Sequence, residues 1–183
     1  VSVNNSQSLW ICDGFTMSAW VKPSTTPTVF AAVVVKNYKY FLYSSSEAYC
    51  ATGVPLGGYA QSQSGNTVVC YGSGLTQDIW THMALTYDKN NLRLWIDGIN
   101  VTSQVATATL DQTFGSLQIG GSENGEFFSG LIDEVRIYNY ARSGAQIITD
   151  MNTPIGALTA PGQFKVSGTF LMGPSTTIKM GAH

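Results

Sequence analysis

Alternating apolar and polar residues predict β-strands through most of the chain. The runs Trp80–Tyr87, Leu92–Ile96 and Gly130–Asn139 all repeat with a period of two residues. This period places successive side chains on opposite faces of a strand. Asp88–Asn91 and the pair Asp97-Gly98 are short polar turns of the kind that join antiparallel neighbours. The pattern therefore predicts an antiparallel β-meander.

Other segments extend this strand-rich pattern. Further strands are predicted over Phe15–Lys22, Val29–Val35, Tyr38–Ser44, Gly57–Gln63, Thr67–Tyr71 and Leu117–Ile119. The single helical candidate is Ala141–Asp150, where Ser143 can act as the N-terminal cap. We therefore predict an all-β fold with one short helix near Ala141–Asp150.

Composition narrows the class of protein. The chain has 183 residues, of which 44% are hydrophobic, and this suits one domain with a substantial core. Only 11% are charged and the net charge is −2, so no basic patch for nucleic acid is expected. No apolar run has the 18 or so residues of a membrane span. A surface solvated mainly by neutral polar groups favours an extracellular or cell-surface location.

The cysteines support the same location. Cys50 and Cys70 lie in predicted strand segments on either side of the glycine-rich stretch Gly53–Gly65. That stretch can fold one segment back on the other, so we expect a Cys50–Cys70 disulfide; the alternative is two buried thiols in a reducing compartment. Cys12 has no histidine or aspartate at nucleophile spacing and is expected to be a half-buried thiol.

Four strand motifs occur in a distinctive order. They read F-T-M-S-A-W-V-K-P from Phe15, W-T-H-M-A-L-T-Y-D from Trp80, L-R-L-W-I-D-G from Leu92, and G-L-I-D-E-V-R-I-Y-N from Gly130. In this order they resemble the laminin-G-like domains of the concanavalin A-like lectin/glucanase superfamily, over Val1–Pro154. The resemblance implies a two-sheet antiparallel jelly-roll sandwich that binds more often than it catalyses. It also implies that a first strand, ahead of Val1, is missing or supplied elsewhere.

Residues 155–183 lie beyond the resemblance. Ile155–Gly162 is typical of a linker, and Phe164–Met172 has an alternating apolar face suited to a β-hairpin. We expect a C-terminal extension that completes its own sandwich or a neighbour's, which would give self-association through the C-terminal strand. The alternative is that the hairpin begins another domain.

The resemblance also suggests where a ligand would bind. In similar domains the corresponding segments form the concave sheet and its rim, and they carry aromatic residues suited to stacking on sugars. The candidate ligand-binding residues are Tyr38, Tyr40, Tyr43, Tyr59 and Tyr71, with Asn37. Tyrosine also commonly fills strand positions, so a core role competes for each ring. Trp20, Trp80 and Trp95 fall in the strand motifs, where core positions are expected.

A calcium ion is a further expectation from the resemblance. Asp133 occupies the acidic position of the I-D-E-V-R-I-Y strand, where similar proteins hold a structural Ca²⁺. Calcium prefers carboxylate and carbonyl oxygens. The alternative is a carboxylate that accepts hydrogen bonds from backbone N–H groups.

No catalytic pattern is visible. Glucanases on this fold carry two carboxylates in a Glu-x-Asp-x-x-Glu run, and this chain has only Glu123 and Glu126 in a predicted turn. His82 is expected to be a structural hydrogen-bonding residue within a strand. We therefore predict that the chain is not an enzyme.

Two functions remain after these exclusions. The first is a non-catalytic extracellular module, carbohydrate-binding or adhesive, within a secreted or surface protein, with a glycan or a cell-surface protein as its partner. The second is a structural subunit of a surface polymer that uses its C-terminal strand for contacts between subunits. Exposed rings lining a groove would favour the first, and an unpaired sheet edge the second.

Overall fold

The computed structural model describes residues 1–37, 39–61, 65–110 and 114–156. Within these ranges the chain forms eleven strands and one α-helix. They are β1 (Ser2–Val3), β2 (Phe15–Pro23), β3 (Ala31–Lys36), β4 (Tyr40–Ser45), β5 (Leu56–Gln61), β6 (Gly65–Cys70), β7 (Thr81–Tyr87), β8 (Asn91–Ile96), β9 (Ile99–Val105), β10 (Leu117–Ile119), β11 (Gly130–Tyr138) and α1 (Gly144–Asn152).

The strands form two antiparallel sheets. One has six strands in the order β1-β10-β3-β4-β5-β6, and the other has five in the order β11-β2-β7-β8-β9. The two sheets pack face to face as a jelly-roll sandwich, which confirms the predicted fold class. Residues 157–183, with the predicted C-terminal hairpin, lie outside the described part of the chain.

The core lies between the sheets and follows the two-residue period of the strands. Phe15 in β2 stacks on Tyr40 in β4 with ring centroids 5.3 Å apart, and Tyr59 in β5 meets Tyr87 in β7 at 4.7 Å. Gly57 lies in β5, where an added Cβ would be 2.5 Å from the side chain of Leu85. The core is therefore filled by side chains from both sheets, and Gly57 leaves room for the side chain of Leu85.

Helix α1 covers part of the outer face of the five-stranded sheet. Ser143 and Gln146 form a capping box, so the helix begins at Gly144 and not at Ala141 as expected. The indole N–H of Trp20 donates to the carbonyl oxygen of Met151 at 3.2 Å. This contact ties the end of the helix to the middle of β2.

Candidate functional site

A group of aromatic side chains lies on the outer face of the six-stranded sheet. Along β4 the alternation sends Tyr40 and Leu42 into the core and Phe41 and Tyr43 to the outer face. Leu56 at the start of β5 joins the outward set. Short alternation within one strand thus supplies both the core and the floor of a surface pocket.

Two loops complete the walls of this pocket. Phe30, just ahead of β3, contacts Tyr43 edge-on with ring centroids 5.5 Å apart. Tyr49, in the loop after β4, lies 6.1 Å from Phe30, measured between ring centroids. The side chain of Tyr49 is 56% exposed, so its ring is the one most open to a ligand. We call this site the aromatic pocket.

Polar groups line one side of the aromatic pocket. The hydroxyl of Tyr43 donates to Oε2 of Glu126 at 2.7 Å, and the hydroxyl of Ser122 donates to the same oxygen at 2.5 Å. The amide of Asn66 donates to the hydroxyl of Tyr49 at 2.9 Å. Asn124 also lines the pocket, which has a volume of about 180 Å³. The side chains are therefore fixed before any ligand arrives.

The loop that carries Glu126 is attached to the sheet. The backbone N–H of Ala32 donates to the carbonyl oxygen of Glu126 at 3.0 Å. Gly125, at a φ of 77°, lies in the turn between Glu123 and Glu126. This is the turn that the sequence predicts, and it directs Glu126, and not Glu123, into the pocket.

A disulfide joins Cys50 to Cys70 beside the aromatic pocket, as predicted, with Cα atoms 6.0 Å apart. Cys50 lies in the loop after β4 and not in a strand, and Cys70 is the last residue of β6. The bond therefore joins the loop between β4 and β5 to the end of β6. Because Cys50 follows Tyr49 directly, the bond restrains the exposed ring of Tyr49. Cys12 is free and half-buried.

The predicted tyrosines divide between the two faces of the sheet. Tyr43 lines the aromatic pocket. Tyr40 and Tyr59 are both 1% exposed and pack between the sheets, which is the core role that the sequence left open for each ring. The hydroxyl of Tyr40 donates to the carbonyl oxygen of Leu9, and burial raises the pKa of Tyr40 well above its ordinary value.

Three other predicted positions lie elsewhere. Tyr71 is half-buried and packs against the core. Asn37 has a φ of 42°, and its side chain lies against Gly115. Neither Tyr71 nor Asn37 lines the aromatic pocket. Tyr38 lies outside the described residues. A ligand-binding role for these three residues stays a prediction.

Asp133, the predicted calcium ligand, lies on the exposed side of β11. Its carboxylate accepts a hydrogen bond from the backbone N–H of Glu134 at 2.8 Å. No group of three or more histidine, cysteine, aspartate or glutamate residues lies together in the described ranges. Calcium prefers six to eight oxygen ligands. Calcium at Asp133 stays a prediction.

The expectation that the strand tryptophans are core residues is wrong. Trp20 and Trp95 are half-buried on the outer face of the five-stranded sheet, and Trp80 is 40% exposed. His82 is fully buried, but its ring nitrogens have no hydrogen-bond partner among the described residues, which differs from the expected structural role. These residues form a second chemical environment on the opposite side of the sandwich.

Comparison with known proteins identifies the class. The profile of the concanavalin A-like lectin/glucanases superfamily, in its laminin G form, matches residues 1–148. The chain belongs to this superfamily. No helix in the described ranges is long and apolar enough to cross a membrane.

Individual relatives are distant. The chain is 25% identical over 163 residues to mouse pappalysin-1, an alignment that covers 77% of this chain and 10% of pappalysin-1. A Bacteroides ovatus protein named for carbohydrate binding has a TM-score of 0.65 and 19% identity, over 80% of this chain and 42% of that one. Domain 4 of an extracellular arabinanase from Geobacillus stearothermophilus, solved with arabinotriose, has a TM-score of 0.62 and 19% identity, over 81% and 71%. The chain thus spans less than half of the first two proteins.

Proposed function

We propose that the chain is a non-catalytic extracellular carbohydrate-binding module and that the sugar binds in the aromatic pocket. The observation that carries this proposal is the combination of an exposed Tyr49 ring with the fixed carboxylate of Glu126. Sugar rings have apolar C–H faces and polar edges, so a site for them needs a flat ring and a few directed polar groups. The aromatic pocket has both.

Each wall has a separate task in this proposal. Tyr49 stacks on the apolar face of the sugar, while Glu126 accepts hydrogen bonds from its hydroxyl groups. Tyr43 and Ser122 hold the carboxylate in one orientation, so little side-chain freedom is lost on binding. Asn66 orients the hydroxyl of Tyr49 in the same way.

Three observations support the non-catalytic and extracellular parts of the proposal. Glycoside hydrolysis generally uses two carboxylates about 5 to 10 Å apart across the sugar bond, and the residues lining the aromatic pocket include a single one, Glu126. The Cys50–Cys70 disulfide fits an oxidising compartment. The structural relatives named above include a domain solved with arabinotriose and a protein named for carbohydrate binding.

A glycan array followed by calorimetry tests the proposal. We expect Tyr49→Ala and Glu126→Gln each to weaken binding of the best glycan by about tenfold, since stacking and one charged hydrogen bond each contribute about 1 to 2 kcal/mol. Phe114→Ala is the control, because it removes another exposed ring, one that contacts Trp10 and not the aromatic pocket. Unchanged affinity in both pocket variants would refute this location.

Two further measurements test for calcium at Asp133 and for catalysis. Adding a chelator to the binding assay tests the predicted calcium at Asp133. Incubating the best glycan with the protein and analysing the products tests catalysis, and any cleavage that Glu126→Gln abolishes would contradict the non-catalytic assignment. The alternative role as a structural subunit concerns residues beyond Gly156, outside the described ranges, and stays a prediction.

A further inference from the structure

The outer face of the five-stranded sheet carries a second site, separate from the aromatic pocket. Trp20, Trp80 and Asp133 line an open cleft with a volume of about 310 Å³. Asp133 in β11 lies directly opposite Trp20 in β2 in the strand register. Directly opposed residues have Cβ atoms about 5 Å apart, so the carboxylate and the indole share one surface. We call this site the tryptophan cleft.

The walls of the tryptophan cleft are held in place. The indole N–H of Trp20 donates to the carbonyl oxygen of Met151, and its ring meets the imidazole of His82 edge-on. A β-bulge follows Asp133, and Glu134 within it has a φ of 52°. The N–H of Glu134 donates to Oδ1 of Asp133 and so orients the carboxylate. Bulges commonly direct a side chain next to a functional site.

The charges around the cleft leave Asp133 as its dominant group. Arg136 pairs with Glu134 at 2.8 Å, so these two charges offset each other. Lys22 lines a neighbouring depression together with Asp78. No ion pair among the described residues includes Asp133. The tryptophan cleft is therefore an apolar surface with one negative charge.

The hydrogen-bonding groups of the cleft argue against a sugar at this site. A sugar presents several hydroxyl groups, each of which needs a donor or an acceptor. The lining side chains offer one carboxylate and two indole N–H groups, and the N–H of Trp20 already donates to Met151. A quaternary ammonium group has no hydrogen-bonding atoms, carries a positive charge and has an apolar surface, so it matches this lining. Tryptophan is also the best aromatic partner for such a cation.

We propose that the tryptophan cleft binds a quaternary ammonium group, with the cation against the indoles of Trp20 and Trp80 and its charge facing Asp133. Choline headgroups and trimethylated lysine both carry this chemistry. The site is independent of the proposed function, because it lies on the other sheet and shares no lining residue with the aromatic pocket.

The experiment is an NMR titration that follows the indole N–H signals of the full 183-residue chain. The probes are tetramethylammonium, choline, phosphocholine, a trimethyllysine peptide, and 3,3-dimethyl-1-butanol, which is the neutral isostere of choline. We expect the cations to shift the signals of Trp20 and Trp80, and the neutral isostere to bind at least about tenfold more weakly. The relative affinities of phosphocholine and the peptide then distinguish the two sources of the cation.

Variants locate the site. Asp133→Asn keeps the shape of the side chain and removes its charge, and we expect it to weaken choline binding about tenfold. Trp80→Ala should remove binding, whereas Tyr49→Ala in the aromatic pocket should leave it unchanged. Because Asp133 is exposed, an unchanged melting temperature of Asp133→Asn shows that a loss of binding is not unfolding.

Four results would overturn the proposal. Equal binding of choline and its neutral isostere would mean that the cleft is only hydrophobic. A saccharide that shifts the Trp80 signal, with no response to the cations, would make the cleft a sugar site. Failure of acrylamide to quench the fluorescence of Trp80 would mean that other residues of the chain cover it. Unchanged choline binding in Asp133→Asn would show that the negative charge of Asp133 does not attract the cation.

Discussion

The imidazole of His82 meets the indole of Trp20 edge-on, with ring centroids 5.5 Å apart, on the outer face of the five-stranded sheet. His82 is fully buried, and its ring nitrogens have no hydrogen-bond partner among the described residues. Burial lowers the pKa of His82 to about 4, with a further contribution from the positive charge of Arg136, while Asp97 and Asp150 act in the opposite direction. The folded protein therefore holds a neutral imidazole at neutral pH.

Acidification should destabilise the fold through His82. The pKa of histidine in the unfolded chain is about 6.5, so between about pH 6.5 and pH 4 the unfolded state binds a proton that the folded state does not. The free energy of unfolding is highest above this window and falls as the pH drops through it. The lost contribution amounts to about 3 kcal/mol. Urea unfolding at a series of pH values measures it.

The control for this prediction is His82→Phe, which keeps an aromatic ring at the same place and removes the titration. Carboxylates also titrate in this range, so the difference between the two pH profiles isolates the histidine. We expect a shallower decline in the variant. Identical profiles for the two proteins would show that His82 is not responsible.

The fold could be predicted because alternation is a local property. Strands β2, β7 and β8 each carry a regular apolar face, and the sequence placed these strands and β11 to within a few residues. In β11 a bulge after Asp133 interrupts the alternation. Strand β9 (Ile99–Val105) was not predicted. It is an edge strand whose residues are exposed or half-exposed, so no buried face imposes an alternating pattern on it.

The site was only partly predictable. Alternation shows that successive side chains lie on opposite faces of a strand, but it does not show which face is buried in the core and which lines the pocket. Tyr40 and Tyr43 are three positions apart and therefore point to opposite sides of β4, one to the core and one to the pocket. Tyr49 and Glu126 come from loops that are far apart in sequence. Only the three-dimensional packing brings these loops together. The single indication in the sequence for the wall that carries Tyr49 was Cys50, the neighbouring residue.

Removing the disulfide should weaken both the fold and the aromatic pocket. The bond closes a loop with a sequence separation of 20 residues, and its loss should cost about 3 kcal/mol. For a domain of this size we expect Cys50→Ser/Cys70→Ser to melt about 6 to 12 °C lower. Glycan affinity should also fall, because Tyr49 loses its covalent restraint. Differential scanning calorimetry and glycan titration measure the two effects.

Cys12→Ser is the matched control for the disulfide. It removes the free, half-buried thiol and leaves the Cys50–Cys70 bond in place. We expect its melting temperature to respond to reducing agent as that of the native protein does. A double variant as stable as the native protein would contradict a structural role for the bond.

At the N-terminal cap of α1, Ser143 should be replaceable without loss of stability only by a residue whose side chain can accept a hydrogen bond. Oγ of Ser143 accepts from the backbone N–H of Gln146, and the side chain of Gln146 accepts from the N–H of Ser143. Ser143→Ala should lower the free energy of unfolding by about 1 kcal/mol, whereas Ser143→Asp should retain stability because aspartate also caps. Chemical denaturation compares them. Equal losses in both variants would mean that the hydroxyl acts through some other contact.

The contact between Gly57 in β5 and Leu85 in β7 should not tolerate even one added methyl group. A Cβ at this position would lie 2.5 Å from Cδ1 and 2.9 Å from Cδ2 of Leu85, which is fully buried and cannot move into solvent. Overpacking of this kind costs about 1 to 3 kcal/mol, so Gly57→Ala should lower the midpoint of urea unfolding. Gly72→Ala is the control, because nothing lies within 4 Å of an added Cβ there. If the two variants unfold at the same urea concentration, Leu85 must be able to repack, and the contact between β5 and β7 is looser than its distances indicate.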